Sequence, residues 1–268
     1  MLANLRGRTA LITGAARRIG RETARALAEQ GVNLVLHFNR SDAEVRQLAD
    51  ELARLGVRAW PLQADFRRPD EYRTLIERAR DLAGSVDILV NNASIFPAEP
   101  LDALIWSELS ANVEVNAWVP LVLSRQFAAG LGVTPGLARS ARSPDVSTPS
   151  RARGSLINLH DTHLAGFDLE HSGYILSKHM LATLTRMLAM ELAPSITVNA
   201  VAPGLILPPP GANESYLTTH AHRVPLQRHG GPRDIAEAIV FLVRSDFITG
   251  QVIYVDGGRH LQGYDSAQ

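Results

Sequence analysis

The stretch TALITGAARRIG (9–20) decides the fold. A short β-prone run reaches Gly14, and from Arg18 the pattern turns helical. A buried strand, a glycine turn and a helix in that order make one strand–helix unit. Gly14 permits a tight turn, and Gly20 lets the helix pack close to the sheet. Backbone N–H groups at such a helix start face outward and suit a phosphate. The middle glycine of a dinucleotide fingerprint is missing, and Arg18 stands in that zone. Arg17 and Arg18 read either as charge-assisted donors to a pyrophosphate or as a solvated basic pair.

The same alternation runs outward from this unit. TALIT (9–13), NLVLHF (33–38), DILVNN (87–92), SLINL (155–159), ITVNAVA (196–202) and QVIYVD (251–256) read as buried strands, and RAWPLQ (58–63) as a weaker one. Helical patterns lie between them, over 18–30, 42–55, 69–83, 111–130, 173–192 and 232–244. Strands alternating with helices imply parallel crossovers and a sheet covered on both faces. The expected fold is therefore α/β, a single-domain Rossmann-type doubly wound parallel sheet over residues 1–268. The stretch 132–153, with four arginines and one aspartate, has little apolar material to bury. It reads as a flexible insertion, either merely tolerated or used for regulation or a partner. The stretch 203–215 has too many prolines for a helix and follows a strand end, where ligands bind in such sheets.

Composition sets bounds. Of 268 residues, 46% are apolar and 20% charged, as in ordinary globular domains. Lys plus Arg and Asp plus Glu both number 27, which argues against nucleic-acid or membrane-surface binding through bulk charge. There is no cysteine, so disulfides and thiolate chemistry are excluded. The N-terminal residues carry no long apolar run, and a cytoplasmic location is expected.

Ligand-facing residues gather at strand ends. The second strand ends in HFNRS (37–41), without the acid that would bind a ribose 2′-OH. His37, Arg40 and Ser41 suit a 2′-phosphate instead, which points to NADP(H); otherwise they form a turn and a cap. Each charge-assisted hydrogen bond there is worth about 1.5–3 kcal/mol, or one to two orders of magnitude in preference. Asp65, after the third strand, suits an adenine amino group. NNAS (91–94) ends the fourth strand with small residues that let backbone approach a ligand. Asn116 falls inside a helix, where asparagine is a poor former, so it needs either a packing role or a place in a proton relay.

The stretch HDTHLAGFDLEHSGYILSK (160–178) holds Tyr174 and Lys178, four apart and so on one helix face. Asp161 stands thirteen residues before the tyrosine. His160, His163, Asp168, Glu170 and His171 are scattered around it and read as solvated, with no metal-ligand spacing.

Together TGAARRIG, Asp65, NNAS, Asn116, Tyr174-x-x-x-Lys178, VAPG (201–204) and ITGQVIYVDGG (248–258) resemble the short-chain dehydrogenase/reductase family over nearly the whole chain. The resemblance implies a catalytic Tyr174 helped by Lys178, with Asn116 supporting a water relay. It implies cofactor contacts at Gly14, Arg17, Arg18, Ile19 and Gly20, at His37, Arg40, Ser41 and Asp65, and at Asn92, Ala93, Tyr174, Lys178, Pro203 and Gly204. Most members have serine where this chain has Asp161. That departure, with Arg18, His37-x-x-Arg40-Ser41 and Asn92-Ala93-Ser94-x-Phe96, is similar to the pteridine reductases, including dihydromonapterin-reductase-like members. For that subgroup the implied substrate contacts are Arg18, Ser94, Phe96, Asp161 and Tyr174, with Phe96 stacking on the pterin opposite the nicotinamide. A homotetramer is implied as well.

The aspartate has a physical rationale. A lysine ammonium about 6 Å from a phenol lowers its pKa by roughly two units at an effective dielectric near 20, and a carboxylate at similar range cancels most of that. Reducing a pterin C=N bond needs a proton on a ring nitrogen and forms no oxyanion. Asp161 then keeps Tyr174 protonated, accepts pterin N–H groups, or, if burial raises its own pKa, donates. The alternative makes Asp161 structural and gives the serine's role to Thr162. The expected function is NADPH-dependent reduction of a dihydropterin, or of dihydrofolate, to the tetrahydro form. The rivals are a general carbonyl reductase acting on 3-oxoacyl thioesters or other ketones, and a non-catalytic NADP(H) sensor.

Overall fold

A computed structural model describes residues 3–133, 152–209, 211–213 and 215–262. The insertion expected at 132–153 lies outside the described residues except at its two ends. Seven strands form one parallel sheet: Thr9–Ile12 (β1), Asn33–Phe38 (β2), Ala59–Gln63 (β3), Ile88–Asn91 (β4), Gly154–Leu159 (β5), Ile196–Pro203 (β6) and Val252–Val255 (β7). The order is β3-β2-β1-β4-β5-β6-β7, so the chain reverses direction across the sheet between β1 and β4. Every strand expected from the sequence is present, to within two residues at each end.

Period-two alternation divides each central strand between two cores. Ile12, Leu34, Leu36, Val90 and Ile157 face one layer, with Leu27, Leu48, Ile235 and Ile239 from helices. Leu11, Val35, Leu89, Leu156 and Val198 face the other, against Leu75, Phe127 and Leu188. These residues are continuous apolar runs in sequence because both faces of the sheet are covered.

Two helices differ from expectation. The pattern at 69–83 is split into Pro69–Tyr72 and Leu75–Ala83. Thr74 sits at the break, where its hydroxyl bonds back to the Asp70 and Glu71 carbonyls at 3.1 and 3.3 Å, competing with the helical ladder. The helix expected from residue 111 begins at Trp106, and a π turn over Glu114–Trp118 joins it to Val119–Gly130. Pro120 accounts for the wider turn: it has no N–H for the Asn116 carbonyl one turn back, and its ring crowds that carbonyl.

The glycine turn after β1 is the tightest place in the fold. A Cβ on Gly20 would lie 2.3 Å from the Gly14 carbonyl oxygen and 2.7 Å from Asn92 Nδ2. Backbone is in the way, so Gly20→Ala should cost about 1–3 kcal/mol. The check is urea unfolding, with a lower midpoint and an unchanged slope expected.

Candidate active site

The site residues lie along the carboxyl ends of the strands. At the β1 end, Thr13 is the fastener. Its hydroxyl accepts N–H bonds from Asn92 and Ala93, each at 2.9 Å. Asn92 returns the tie, donating from Nδ2 to the Thr13 and Gly14 carbonyls at 2.7 and 3.1 Å. Asn92 and Ala93 thus bolt β4 to the glycine turn. Thr13 was not singled out in the sequence, although a hydroxyl directly before the turn glycine was the available signal.

Arg18 has φ +55°, in the left-handed region that favours glycine. It stands where the fingerprint glycine is missing, and it takes the conformation that glycine would supply. Such a residue costs of order 1–3 kcal/mol and is found mainly at functional positions. Its guanidinium donates to the Pro208 carbonyl at 3.1 Å, tying the turn to the loop after β6. Ile19 packs on the core beneath.

Next to the turn is a cavity of about 410 Å³ lined by Gly14, Ala16, Arg17, Phe38, Asn39, Arg40, Ser41, Arg67 and Ile95. Small residues, three guanidiniums and a hydroxyl are the donor set a phosphorylated nucleotide needs. Arg17 lines it while paired with Glu44. Arg67 was missed in the sequence, since nothing local marks one arginine of the pair Arg67–Arg68. Its guanidinium grips Asp65 through Nε at 3.1 Å and Nη2 at 2.7 Å. That bond is the main reason the Asp65 carboxyl falls to about 2. Asp65 therefore presents a carboxylate already engaged by Arg67, rather than an open acceptor.

His37 is corrected by the structure. It is 2% exposed and does not face the cavity. Nδ1 accepts from Gly14 N at 3.1 Å, Nε2 meets the Ala64 carbonyl at 3.0 Å, and the ring stacks on Phe66 at 4.3 Å. Burial lowers its pKa to about 4. A neutral ring under the turn offers a 2′-phosphate no charge. Its role is to join β1, β2 and the residue after β3.

At the β5 end, Tyr174 and Lys178 project from the Ser172–Leu192 helix. The Tyr174 hydroxyl donates to Asp161 Oδ2 at 2.8 Å. Lys178 Nζ donates to the Leu159 carbonyl at 2.7 Å and lies 5.4 Å from the Tyr174 ring centre. Burial lowers the lysine to about 8, with Asp161 opposing that shift. Burial pushes Tyr174 well above the usual phenol range, and the Asp161 charge and hydrogen bond push the same way. For Asp161 itself burial acts upward. The contacts with His163 and the bond from Tyr174 outweigh it, and the carboxyl ends below its usual range. The arrangement holds an un-ionised phenol between a carboxylate and an ammonium.

Asn116 lies in the π turn, 1% exposed, with its side chain fully committed. Oδ1 accepts from Ser94 Oγ and Ile95 N, each at 2.9 Å, and Nδ2 donates to the Ile95 carbonyl and Ser177 Oγ, each at 3.0 Å. These bonds give the side chain a packing role. The same bond turns the Ser94 hydroxyl toward Asn116. Phe96 stands edge-on to Tyr174 at 4.6 Å and stacks on His171 at 3.9 Å. Gly204 bonds to the Val255 carbonyl, and a Cβ there would meet the Asp256 Cβ at 2.4 Å, so the VAPG turn needs glycine to pack.

Of the loop residues read as solvated, Glu170 is exposed, but His160 is buried and His163, Asp168 and His171 are half-buried. His160 is 3% exposed, bonded through Nε2 to Thr185 Oγ1 at 3.1 Å, and held near pKa 3 by burial. His163 meets Asp161, and His171 Nδ1 meets Asp168 Oδ2 at 2.8 Å. The reason is that 169–172 is laced to 99–101: Glu99 N to the Glu170 carbonyl at 2.7 Å and Leu101 N to the Leu169 carbonyl at 2.9 Å. Thr162 donates to Asp256 Oδ2 at 2.6 Å, so it is turned to Asp256 and does not replace a serine beside Tyr174.

A nucleotide-sized basic cavity at a strand-order reversal, beside a tyrosine–lysine pair, defines a dinucleotide-dependent oxidoreductase of the α/β type. Comparison with known proteins makes this specific: a family profile described as enoyl-(acyl carrier protein) reductase matches residues 14–260, and the chain belongs to the short-chain dehydrogenase/reductase family. The 3-oxoacyl-[acyl-carrier-protein] reductase FabG of Staphylococcus epidermidis is 32% identical over 259 residues, covering 95% of this chain and 99% of that one. The crystal structure of FolM alternative dihydrofolate reductase 1 from Brucella canis, complexed with NADP, superposes with a TM-score of 0.86 at 30% identity, covering 98% of each chain. A blue fluorescent protein from a metagenomic library, in complex with NADPH, gives a TM-score of 0.80 at 31% identity over 96% of this chain and 99% of that one.

Buried neutral His37 carries a pH signature. Its pKa falls from 6.5 to about 4 on folding, so the stabilisation is full above pH 6.5 and is lost as pH drops through 4. The shift corresponds to on the order of 3 kcal/mol. His37→Gln should flatten that acid limb in unfolding midpoints measured from pH 7 to pH 4.

Proposed function

We propose that this protein is an NADPH-dependent pteridine reductase that takes a dihydropterin, with dihydrofolate as a second candidate substrate, to the tetrahydro level. The observation that carries the reading is the hydrogen bond from the Tyr174 hydroxyl to the Asp161 carboxylate. A phenol so held keeps its proton, which suits delivery to a ring nitrogen. The FolM structure from Brucella canis, at 30% identity over 98% of the chain, supports the same reading.

Arg40, Ser41 and Arg67 would hold the 2′-phosphate, while Gly14, Arg18 and the start of the Arg18–Glu29 helix would take the pyrophosphate. Bound NADPH supplies the hydride. Phe96, fixed edge-on to Tyr174, gives a flat pterin ring an aromatic surface within reach of the phenol. Tyr174 Oη gives its proton to the ring nitrogen next to the reduced carbon, Lys178 offsets the charge left behind, and solvent restores the proton. Arg18 and Ser94 complete the substrate contacts in this reading.

The second reading is a 3-oxoacyl-thioester reductase, favoured by the FabG relative. One assay separates the two. NADPH oxidation is followed with dihydrobiopterin, dihydromonapterin, dihydrofolate and an acetoacetyl thioester, for wild type and Asp161→Ser. Pterin turnover that the substitution lowers by about 10²-fold or more, the scale of one general acid, is expected. Thioester turnover kept in Asp161→Ser, with no pterin turnover in either protein, gives the second reading. NADPH binding without turnover of any of these substrates gives the sensor.

The phosphate assignment has its own check. Arg40→Ala and Arg67→Ala should each lower the preference for NADPH over NADH by about 10- to 100-fold, measured as a ratio of kcat/KM values.

A further inference from the structure

We propose that His163 is a positioning residue for Asp161, the third member of a Tyr174–Asp161–His163 chain. The inference rests on Asp161 acting on Tyr174, as in the reading above, and adds a residue outside the motifs that carry that reading.

The two oxygens of Asp161 have separate partners. Oδ2 takes the Tyr174 hydroxyl at 2.8 Å. Oδ1 takes the His163 backbone N–H at 2.9 Å and, in a short contact, the His163 ring Nδ1. A carboxylate with donors on both oxygens cannot rotate about its own axis without breaking bonds at each. The two-residue spacing from Asp161 to His163 makes this possible, because Asp161 caps the 3-10 turn Thr162–Ala165.

That turn is itself held in place. Leu164 N bonds to the Asp161 carbonyl at 3.2 Å and Gly166 N to the His163 carbonyl at 3.0 Å. Thr162 bonds to Asp256 Oδ2, and Asp256 also takes Gly258 N at 2.9 Å and His260 N at 2.8 Å. His163 is therefore presented to Asp161 by a braced segment that reaches to the residues after β7. The electrostatic consequence follows from what a donor does to a carboxylate. An imidazole N–H on Oδ1 draws on the negative charge, so less of it falls on the phenol. Without that donor, Asp161 grips the Tyr174 proton harder, and the proton is slower to leave.

The test has one arm that needs no turnover. In the ligand-free protein, the ¹⁵N and ¹H signals of His163, assigned by their loss in His163→Asn, should show a protonated Nδ1 with a proton shifted well downfield. Asp161→Asn should move that proton back toward the range of an ordinary imidazole. An unprotonated Nδ1, or a signal that Asp161→Asn leaves in place, overturns the proposal whether or not any pterin is reduced.

The kinetic arm uses whichever substrate the wild type reduces. His163→Ala should lower kcat by about 10- to 100-fold, the worth of one hydrogen bond to a charged group, with KM little changed. His163→Asn, whose amide can donate near the Nδ1 position, should recover most of that loss, and His163→Phe should not. In an Asp161→Asn background, His163→Ala should add little, since the residue acts through Asp161. Equal losses for His163→Asn and His163→Phe, or losses that multiply with Asp161→Asn, overturn the proposal. Absence of pterin turnover, with the spectral arm intact, overturns the proposed substrate class alone.

Discussion

A buried ammonium and a half-buried carboxylate flank one phenol, and the remainder of the site is built around keeping that charge pattern. Burying Lys178 costs enough to bring its pKa to about 8, which still leaves it charged at neutral pH. The Leu159 carbonyl accepts a hydrogen bond from it, and Asp161 supplies the opposing charge. A charge taken out of water persists only with such partners. Tyr174, between them, is pushed the same way by burial and by the Asp161 charge and hydrogen bond, toward the neutral phenol that low polarity favours. The outcome is an acid with its proton in place, not a phenolate.

Around this centre the chain uses polar side chains as fasteners between strand ends. Thr13 and Asn92 join β1 to β4, neutral His37 joins the glycine turn to β2 and the residue after β3, and Asn116 fixes the backbone at Ser94 and Ile95. Each is buried or nearly so and has its hydrogen bonds made inside the protein, which is the condition for a buried polar group to cost little. The benefit is rigidity exactly where the sheet has no strand ladder left to supply it. Arg18 is the exception, since it accepts a left-handed backbone and keeps a guanidinium at a place where the usual dinucleotide fingerprint has only a glycine's hydrogen.

Strands and covered sheet faces were legible because the signal is local: an apolar run of four to six residues has few alternatives. The split at Thr74 and the π turn at Glu114–Trp118 were not, because a back-bonding hydroxyl and a proline one turn ahead perturb a helix without removing its apolar period. In the site, Tyr174, Lys178 and Asp161 could be picked out by spacing and chemistry. His37 was picked out too, but with the wrong partner. Position at a strand end says that a side chain is near the turn, and only burial says that it lies beneath it. Arg67, Thr13 and His163 depend on which residue of a loop turns inward. That choice is made by contacts with Asp65, Asn92 and Asp161, each distant in sequence or dependent on a turn the sequence does not announce.

Overall similarity cannot decide between the two substrate classes. The FabG relative is 32% identical and the FolM structure 30%, both over nearly the whole chain. Such identity describes a shared scaffold, and a scaffold hosts many reactions. The discrimination has to come from charge at the reacting atoms. Ketone reduction builds negative charge on an oxygen that the phenol must bond. A carboxylate about 6 Å away opposes that charge by roughly 3 kcal/mol at an effective dielectric near 20, about two orders of magnitude in rate. Protonation of a ring nitrogen builds no such oxyanion, and the charge it leaves on Tyr174 is opposed by Lys178. In the proposed reading Asp161 thus weighs more against ketone reduction than against ring-nitrogen protonation.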